Sequence, residues 1–525
     1  MTARSSAETD VTDAGLQRQV LAFLDGSSFG AANGGKRIDT HASMVFLGAE
    51  RVLKIKRAVR LPFLDYSTLE KRRQACEEEL RVNAGNAPEL YRRVVAITRN
   101  SAGVFEIDGA GTPVEWAVEM TRFDESQSLD RLAASKVIDP SLATALADAI
   151  LRSHERAPPA DGESWLGSIL PIIERNTAKF RAVPELDAAA VDQLDAASRD
   201  YVAALQPLLK QRAEQGFVRR CHGDLHLANI ALVDGRPLLF DAIEFDPVIA
   251  TTDVFYDLTF TLMDLAHFDQ GTAANEVFNR YLTGAGEESL DGLRLLPLFS
   301  SIRAAIRAHV LIVKAESAGD GEDARREAMR YFDLANRLIR SEPPLLVAIG
   351  GLSGTGKSVL ARGLAGLVEP PPGAVIVRSD VVRKHLFGAH ETTSLPESAY
   401  RSDTSSKVYD VLSRTAQRVL AQGCSVVLDA AYLQETERTE IADMAARHGT
   451  RFLGLFLTAD LATRLARIEL RRDDASDATR DVALKQENMA IGVVDWHMID
   501  ASGTQDQSLR NASVFLGGAS RGRGG

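Results

Sequence analysis

Hydrophobic and polar positions divide the chain into regions with different periodicities. Short apolar runs such as Met44–Leu47 and Val52–Lys56 occur in the first 120 residues and predict strands. A charged stretch over residues 68–83 interrupts them with helical spacing. From about Leu129 the pattern is mostly helical, apart from a break near residues 221–244. The sequence therefore predicts a small sheet-rich lobe followed by a larger helical lobe.

A further region begins at the pair Pro343-Pro344. The helical pattern before this pair ends near Arg340, because proline cannot continue a helix and favours extended geometry in its predecessor. The run Leu345–Ile349 after it is typical of a buried strand. We predict a disordered N-terminus, a two-lobed domain, a linker, an α/β domain and a flexible Gly/Ser/Arg-rich tail, at residues 1–14, 15–340, 341–344, 345–508 and 509–525.

The residues directly after this strand follow the pattern G-x-x-x-x-G-K-[ST], and a helical pattern begins behind them. A strand–loop–helix context is what the phosphate-binding P-loop requires, since its backbone N–H groups and the helix N-terminus surround a polyphosphate. Lys357 is expected to reach the β- and γ-phosphates of ATP, and Ser358 to hold Mg²⁺. The predicted nucleotide-binding residues are Gly351, Ser353, Gly354, Thr355, Gly356, Lys357 and Ser358.

A second constellation of polar residues lies at the break in the helical region. Asp224 is followed five residues later by Asn229, and Asp241 ends the apolar strand Leu238-Leu239-Phe240. Asp224 can accept a hydrogen bond from an attacking hydroxyl, whereas Asn229 and Asp241 offer oxygen atoms to Mg²⁺. This pattern favours ATP-dependent phosphoryl transfer.

The run His222-Gly223-Asp224, with Asn229 and Asp241, resembles the HGDxxxxN…D signature of the aminoglycoside phosphotransferase-like and choline-kinase-like families. The resemblance implies a bilobal protein-kinase-like fold in which Asp224 is the catalytic base. It further implies that Asn229 and Asp241 are the metal ligands.

Kinases of this kind also need a lysine on an N-terminal strand and a helix glutamate that positions it. Lys54 and Glu79 are the predicted pair, and both are expected to contribute to nucleotide binding. Lys56 and Glu78 remain alternatives, because Lys56 projects from the same side of the strand and a glutamate run is often a solvated face. No G-x-G-x-x-G loop precedes Lys54.

In the α/β region, Asp380 and Arg383 follow the predicted strand Val375-Ile376-Val377. A carboxylate at this edge of a parallel sheet faces the nucleotide, where an acceptor hydroxyl must be oriented or deprotonated. Arg383 lies on the same helix face as Asp380 and is expected to hold an anionic group of the substrate. Asp429 ends another strand at the Walker-B position and is predicted to support Mg²⁺; its alternative role is a helix cap.

Arg464, Arg467 and Arg471 recur at helical spacing after the predicted strand Phe452–Leu457, so one helix face carries all of these guanidinium groups. Such a stripe is usually a solvated face. In a small P-loop kinase it is instead typical of the mobile lid that neutralises transition-state charge. Arg467 and Arg471 are therefore predicted to be catalytic.

Residues from Leu345 to about Ala501 resemble gluconate-kinase-like, zeta-toxin-like and polynucleotide-kinase-like P-loop kinases. Residues 15–500 as a whole resemble bacterial proteins that join an aminoglycoside phosphotransferase-like domain to a P-loop kinase domain. The resemblance implies an α+β bilobal kinase-like domain and an α/β P-loop NTPase domain with a parallel β-sheet flanked by helices. It also implies ATP and Mg²⁺ as cofactors.

Three functions follow from these motifs. The preferred one is a phosphotransferase whose two kinase-like modules transfer the ATP γ-phosphate to hydroxyl groups of small molecules. The alternatives are a polynucleotide 5′-hydroxyl kinase, in which Asp380 and Arg383 act on nucleic acid, and an ATP-sensing regulatory protein. Intact Asp224 and Asp380 argue against a pure sensor, which would not need a base.

Composition narrows this choice. The chain of 525 residues, with 45% hydrophobic and 25% charged residues, has the values of a globular multi-domain protein. Its net charge of −11 makes nucleic acid an unlikely main partner. The three cysteines form neither a disulfide framework nor a metal-ligand pattern. We predict no signal peptide and no apolar run of membrane-spanning length, and hence a cytoplasmic protein without membrane association.

Overall fold

The computed structural model describes residues 15–31, 34–40, 42–61, 64–136, 138–317, 321–470 and 475–519. The chain divides into two compact units, one formed by Met1–Ile172 with Ala204–Asp264 and the other by Ile173–Ala203 with Leu265–Gly525. The predicted disordered segment 1–14 lies outside the described residues.

Up to residue 267 the chain passes through both strands and helices. In chain order they are α1 (15–25), β1 (Lys36–Asp39), β2 (Ser43–Leu47), β3 (Arg51–Lys56), β4 (Arg60–Leu61), β5 (Leu64–Asp65), α2 (Leu69–Asn83), β6 (Tyr91–Arg99), β7 (Phe105–Ile107), β8 (Thr112–Thr121), α3 (Leu129–Ala134), α4 (Pro140–Arg156), α5 (Gly162–Arg181), α6 (Ala188–Glu214), β9 (Val218–Arg220), β10 (Ile230–Val233), β11 (Arg236–Leu239), α7 (Pro247–Ala250), β12 (Thr251–Asp253) and α8 (Val254–His267).

The remaining elements belong to the second unit. They are α9 (Gly271–Ala285), α10 (Leu296–Ser317), α11 (Glu322–Leu338), β13 (Leu345–Gly351), α12 (Lys357–Ala365), β14 (Val375–Arg378), α13 (Ser379–Leu386), α14 (Ser402–Ala421), β15 (Val426–Asp429), α15 (Glu435–Arg447), β16 (Arg451–Thr458), α16 (Leu461–Leu470), α17 (Arg480–Glu487), β17 (His497–Asp500) and α18 (Gln505–Ala519).

The predicted sheet-rich lobe is confirmed. Its antiparallel sheet has the strand order β1-β2-β3-β8-β6-β7. Because side chains alternate along a strand, Leu53 and Ile55 of β3 pack with Val20 and Leu24 of α1 in one core, and Val52 packs in another, which holds residues of α2 and β8. The lysines between these apolar positions are thereby held in place by the cores around β3.

The predicted parallel sheet is also confirmed, with the strand order β14-β15-β13-β16-β17. Every residue of β13 is buried, as expected for a central parallel strand covered on both faces. Val347 and Ile349 of β13 pack with Leu360 and Leu364 of α12 in one core. This packing holds the P-loop between a rigid strand and a rigid helix.

The expectation of a flexible tail over 509–525 is wrong for residues 509–519, which belong to α18. Leu509, Ala512, Phe515 and Leu516 recur at helical spacing and pack against the core of the parallel sheet. The Gly/Ser-rich composition concealed this apolar stripe. Residues 520–525 lie outside the described part of the chain.

The predicted linker at 341–344 does not coincide with the division into units, because α9 belongs to the same unit as the parallel sheet. The side chain of Asn275 on α9 donates to the carbonyl groups of Pro372 at 2.8 Å and Ala374 at 2.9 Å. Asn279 accepts the N–H of Ile376 at 2.7 Å. These hydrogen bonds attach α9 to the edge strand β14.

The helical stretch Glu287–Glu316 corrects the expectation that no apolar run has membrane-spanning length. With a mean hydropathy of 1.4 in its most apolar window, it is long and apolar enough by composition to cross a membrane. In the structure 61% of that window is buried, and Ser301 on α10 donates to the Ala335 carbonyl of α11 at 2.9 Å. Such burial is that of a core helix, so the stretch is a weak candidate for a membrane span.

Candidate active sites

Two lysines of β3 enter a buried ion network in the first unit. Lys54 Nζ lies 2.8 Å from Glu79 Oε1 and also contacts Asp241 Oδ1. Lys56 Nζ lies 2.6 Å from Glu79 Oε2 and also contacts Glu244 Oε1. The two lysines share one side of the strand, so both pair with the same helix carboxylate. The structure brings both candidate lysines onto Glu79, and they differ in their second partner: Lys54 contacts Asp241, and Lys56 contacts Glu244.

Glu79, rather than Glu78, faces this network. The Glu79 side chain is 0% exposed, whereas Glu78 pairs with Arg81 at 2.6 Å on the outer face of α2. Burial by itself would raise the pKa of Glu79, but the ammonium groups of Lys54 and Lys56 outweigh burial and lower that pKa to about 2. Glu79 is therefore ionised at neutral pH and holds both lysines.

The loop that carries Asp224 follows β9. Gly223 has a φ of 83°, and a Cβ there would lie 3.1 Å from the Cα of Ala250, so the turn before Asp224 requires glycine. The Asn229 amide donates to the Asp224 carbonyl at 2.9 Å and to its Oδ2 at 3.0 Å, and His226 Nε2 lies 3.4 Å from that Oδ2. The Asp224 side chain remains 40% exposed, so an acceptor hydroxyl can reach it.

Two carboxylates of helix α8 accept hydrogen bonds from the backbone of this loop. The two oxygens of Asp257 accept the N–H groups of Gly223 at 2.8 Å and His222 at 3.2 Å. Two helical turns further on, Asp264 accepts the N–H of Leu227 at 3.0 Å. Because Asp257 and Asp264 share one helix face, they fix the backbone on both sides of Asp224.

Asp241 lies at the end of the β10–β11 hairpin. Its φ of 63° turns the backbone away from the strand, and its N–H donates to the Tyr91 hydroxyl at 3.1 Å. The N–H of Phe240 donates to the Asn229 carbonyl at 3.0 Å, which places both predicted metal ligands at the same end of the hairpin. The Asn229 amide nitrogen is engaged by Asp224, so the amide oxygen is the atom it offers to a cation. Carboxylate and amide oxygens fit Mg²⁺.

The P-loop of the second unit depends on glycine at three positions. Gly351, Gly354 and Gly356 have φ values of 136°, 85° and 95°. A Cβ on Gly354 would lie 2.6 Å from the carbonyl oxygen of Arg464. Lys357 Nζ donates to the Gly351 carbonyl at 3.0 Å. The loop therefore has the curled backbone of a phosphate cradle, with its lysine folded onto it.

The predicted base and metal ligands of this unit line one cavity of about 280 Å³ together with the P-loop. Asp380, Asp429, Lys357 and Ser358 all face it. Burial and the neighbouring Asp429 charge raise the pKa of Asp380, and the positive charge of Lys357 partly opposes this shift. A carboxylate with a raised pKa is a better proton acceptor than an ordinary one, which suits the role of base.

Ser358 and Asp429 are bridged by one guanidinium group. Arg378 Nη2 donates to Ser358 Oγ at 3.1 Å, and Arg378 Nε donates to Asp429 Oδ2 at 3.3 Å. A hydroxyl and a buried carboxylate that share one cation form a donor set of hard oxygens, as Mg²⁺ requires. The residues present therefore fit the metal, and Asp429 does not act as a helix cap.

Arg383 lines the same cavity but is only 7% exposed. Its Nη1 donates to the Ala399 carbonyl at 2.6 Å and to Ser405 Oγ at 3.4 Å, and its guanidinium lies 4.9 Å from the centre of the Tyr400 ring. Its Nε is buried and has no hydrogen-bond partner among the described residues. These contacts hold the Arg383 side chain in the wall of the cavity.

Within the described residues, Arg464 and Arg467 of the predicted stripe contact the P-loop instead of lying together on a solvated face. Arg464 is fully buried: its Nε donates to the Ser353 carbonyl at 2.9 Å, and its Nη1 lies 2.5 Å from Glu487. Arg467 Nη1 donates to the Thr355 carbonyl at 3.3 Å. These hydrogen bonds attach α16 to the backbone of the P-loop. Arg471 lies outside the described residues.

Two family models match the chain. Residues 103–293 match the phosphotransferase enzyme family, and residues 346–490 match an AAA domain. The chain joins a phosphotransferase-family domain to an AAA domain. Both domains are kinase-like, which supports a phosphotransferase.

Similar proteins cover most of the chain, and similar solved structures cover parts of it. An uncharacterized protein of Mycobacterium tuberculosis is 28% identical over 90% of this chain and 94% of its own length. A choline/ethanolamine kinase family protein from Mesorhizobium loti covers 62% of this chain and 100% of its own, with 13% identity and a TM-score of 0.38. A gluconokinase from Sinorhizobium meliloti covers 35% of this chain and 94% of its own, with 20% identity and a TM-score of 0.25.

Several residues of the AAA domain were not predicted from the sequence. Gln486 on α17 accepts the N–H of Ser353 at 2.7 Å, so a side chain lies against the P-loop amide. Lys384, which is 1% exposed, lies 2.7 Å from Asp477, and Tyr400 donates to the same carboxylate. The polar run that contains Asp477 was visible in the sequence, but its pairing with Lys384 and Tyr400 is set by tertiary packing alone.

Proposed function

We propose that the chain transfers the γ-phosphate of ATP to hydroxyl groups of small molecules, separately at its phosphotransferase-family domain and at its AAA domain. One observation supports this proposal above others. Each domain combines a lysine suited to hold phosphates, Lys54 or Lys357, with an acidic residue accessible to an acceptor, Asp224 or Asp380.

In the phosphotransferase-family domain, Asp224 orients the acceptor hydroxyl and accepts its hydrogen bond. Asn229 keeps that carboxylate in place, and Glu79 keeps Lys54 extended toward the phosphates. Asn229 and Asp241 are the residues that would hold Mg²⁺, which neutralises phosphate charge when it is bound. The anchoring of this loop by α8 limits how far Asp224 can move from its productive position.

In the AAA domain, the P-loop backbone and Lys357 bind the β- and γ-phosphates, and Asp380 is the base. Ser358 and Asp429 would hold Mg²⁺ there. The small cavity and the rigid wall formed by Arg383 and Tyr400 favour a compact acceptor. The guanidinium of Arg383, which lines this cavity, is suited to an anionic group of that acceptor.

The proposal places the activity in the cytoplasm, where ATP and Mg²⁺ are available. Among the described residues, Cys76, Cys221 and Cys424 form no disulfide bond, as expected in a reducing compartment.

Transfer of labelled γ-phosphate from ATP tests the proposal. A fractionated extract of small metabolites and a 5′-hydroxyl oligonucleotide serve as acceptors. We expect labelled small molecules, with one product lost in Asp224→Asn and a different one in Lys357→Ala. Matched controls are Asp234→Asn in the exposed β10–β11 turn and Lys407→Ala on the exposed face of α14. Label on the oligonucleotide alone, lost in Lys357→Ala, would instead establish polynucleotide end processing, and no transfer to any acceptor would favour the ATP sensor.

A further inference from the structure

We propose that Arg378 is an internal cation that competes with Mg²⁺ for Ser358 and Asp429, so that the AAA domain binds nucleotide only above a threshold of Mg²⁺. This inference rests on the proposed function, because it requires a nucleotide site at the P-loop. No sequence motif of the chain assigns Arg378 a role in metal binding.

The position of Arg378 is set by the sheet. Arg378 ends β14 and is the register partner of Asp429, which ends the neighbouring parallel strand β15. Ser358 lies at the start of α12, which follows the adjacent strand β13 through the P-loop. The three side chains therefore converge at the carboxyl edge of the sheet, where α/β folds bind their ligands.

These contacts place Arg378 in competition with Mg²⁺ for the oxygens of Ser358 and Asp429. One guanidinium reaches both Ser358 Oγ, at 3.1 Å, and Asp429 Oδ2, at 3.3 Å. These are the oxygens predicted to hold the metal. A guanidinium and a Mg²⁺ ion cannot both lie between them, because two cations at that distance repel and Mg²⁺ needs close oxygen contacts.

Burial strengthens this competition. The Asp429 side chain is 6% exposed and that of Arg378 is 15% exposed. A carboxylate buried to this extent requires a positive partner, which Arg378 supplies when no metal does so. Mg²⁺ must therefore displace a charge-assisted contact, not merely water, before it engages Asp429.

The displaced guanidinium stays close to the reaction. Arg378 is two residues before Asp380, and the positive charge of Arg378 helps to oppose the rise in the pKa of Asp380. The same side chain, once released by Mg²⁺, remains tethered at the edge of the cavity that receives the phosphates. Exchange of Arg378 for Mg²⁺ thus couples metal binding to the charge around the base.

The test measures binding of ADP by calorimetry at graded Mg²⁺ concentrations, in a Lys54→Ala background that isolates the AAA site. Removing Arg378 removes one charge-assisted contact, so in Arg378→Ala we expect half-maximal ADP binding at about tenfold lower Mg²⁺ than in the parent. Arg378→Lys keeps the charge but cannot bridge both oxygens, and we expect an intermediate shift. Arg414→Ala removes an exposed arginine of α14 that does not line the cavity and serves as the control.

Thermal unfolding gives a second readout without nucleotide. In EDTA, Arg378→Ala leaves Asp429 without its cation, so we expect a lower Tm that added Mg²⁺ restores, whereas Mg²⁺ changes the parent less. An unchanged Mg²⁺ dependence in Arg378→Ala and Arg378→Lys would overturn the inference. So would a loss of Tm that Mg²⁺ does not restore, which is the mark of a purely structural ion pair. Absence of ADP binding to the parent at any Mg²⁺ concentration would instead contradict the proposed function of the AAA domain.

Discussion

The phosphotransferase-family domain and the AAA domain each attach a basic side chain to a predicted metal ligand, but they do so differently. In the phosphotransferase-family domain, Lys54 forms ion pairs with both Asp241 and the buried Glu79. In the second, the P-loop lysine lies on the backbone carbonyl of Gly351, and Arg378 contacts Asp429 instead. A lysine held by a buried glutamate is already extended toward the phosphates. Lys54 keeps Glu79 as a partner when Mg²⁺ takes Asp241. In the AAA domain Mg²⁺ must displace a guanidinium that contacts both predicted ligands, so we infer that this domain is the more strongly metal-dependent of the two.

The largest effect is expected from substitution of Lys54, which tests whether the two domains act independently. Lys54→Ala removes the cation that contacts both Glu79 and Asp241, so we expect at least about a 10²-fold loss of transfer by the phosphotransferase-family domain. The product lost in Lys357→Ala should persist. Product-resolved rates of γ-phosphate transfer check this, with Lys36→Ala on the exposed strand β1 as the control. Equal loss of both products would mean that the two domains are not independent.

Acid unfolding tests the buried network around Glu79. Its pKa in the folded chain is about 2, below its ordinary value of 4.5, so the ionised carboxylate stabilises the fold above pH 4.5. This contribution, on the order of 3 kcal/mol, is lost as the pH falls from 4.5 toward 2. We expect the Tm of Glu79→Gln to vary less steeply with pH in that window than the Tm of the parent. Glu77→Gln, on the exposed face of α2, should keep the parental slope; an equally steep slope in Glu79→Gln would contradict this assignment.

A smaller effect is expected at α18, which packs against the core of the parallel sheet. Leu509 packs against the sheet core, and a Cβ on Gly363 of α12 would lie 2.9 Å from it. Leu509→Ala should destabilise the second unit by about 2 kcal/mol, measured as a lower thermal transition. Val514, which is 71% exposed on the same helix, supplies the control Val514→Ala. Parental stability of Leu509→Ala would mean that α18 does not contribute to the fold.

The smallest effect concerns Gln486, whose oxygen occupies the N–H of Ser353. Removing one neutral hydrogen bond changes a free energy by about 1 kcal/mol. Because that amide faces the cradle, we expect Gln486→Ala to bind ADP about fivefold more tightly at the AAA site. Titration in the Lys54→Ala background measures this, with Leu484→Ala, an exposed position of α17, as the control. Weaker binding would show instead that Gln486 contributes to the nucleotide site.

Local patterns predicted much of this molecule, and their limits have physical causes. The P-loop, the strand before it and the Asp224 loop are contiguous, so spacing alone located them. Lys56 was visible as an alternative to Lys54, but its pairing with Glu244 joins distant segments and depends on tertiary packing. Burial of Arg464 could not be predicted, because a stripe of arginines has the same spacing on a solvated face and on a buried one.

Domain boundaries were the least predictable feature for a related reason. Proline pairs mark where a helix ends, but they do not show what the preceding helices pack against. The contacts of Asn275 and Asn279 with the β14 edge involve polar side chains without periodicity. The apolar stripe of α18 was similarly hidden by its glycine and serine content.

The number of ADP molecules bound per chain in saturating Mg²⁺ tests the central claim of two separate phosphotransfer sites most directly. Calorimetry should give two sites in the parent, one in Lys54→Ala and one in Lys357→Ala, with neither site left in the double variant. A parent that binds one ADP, or a pair of variants that lose the same site, would contradict the account.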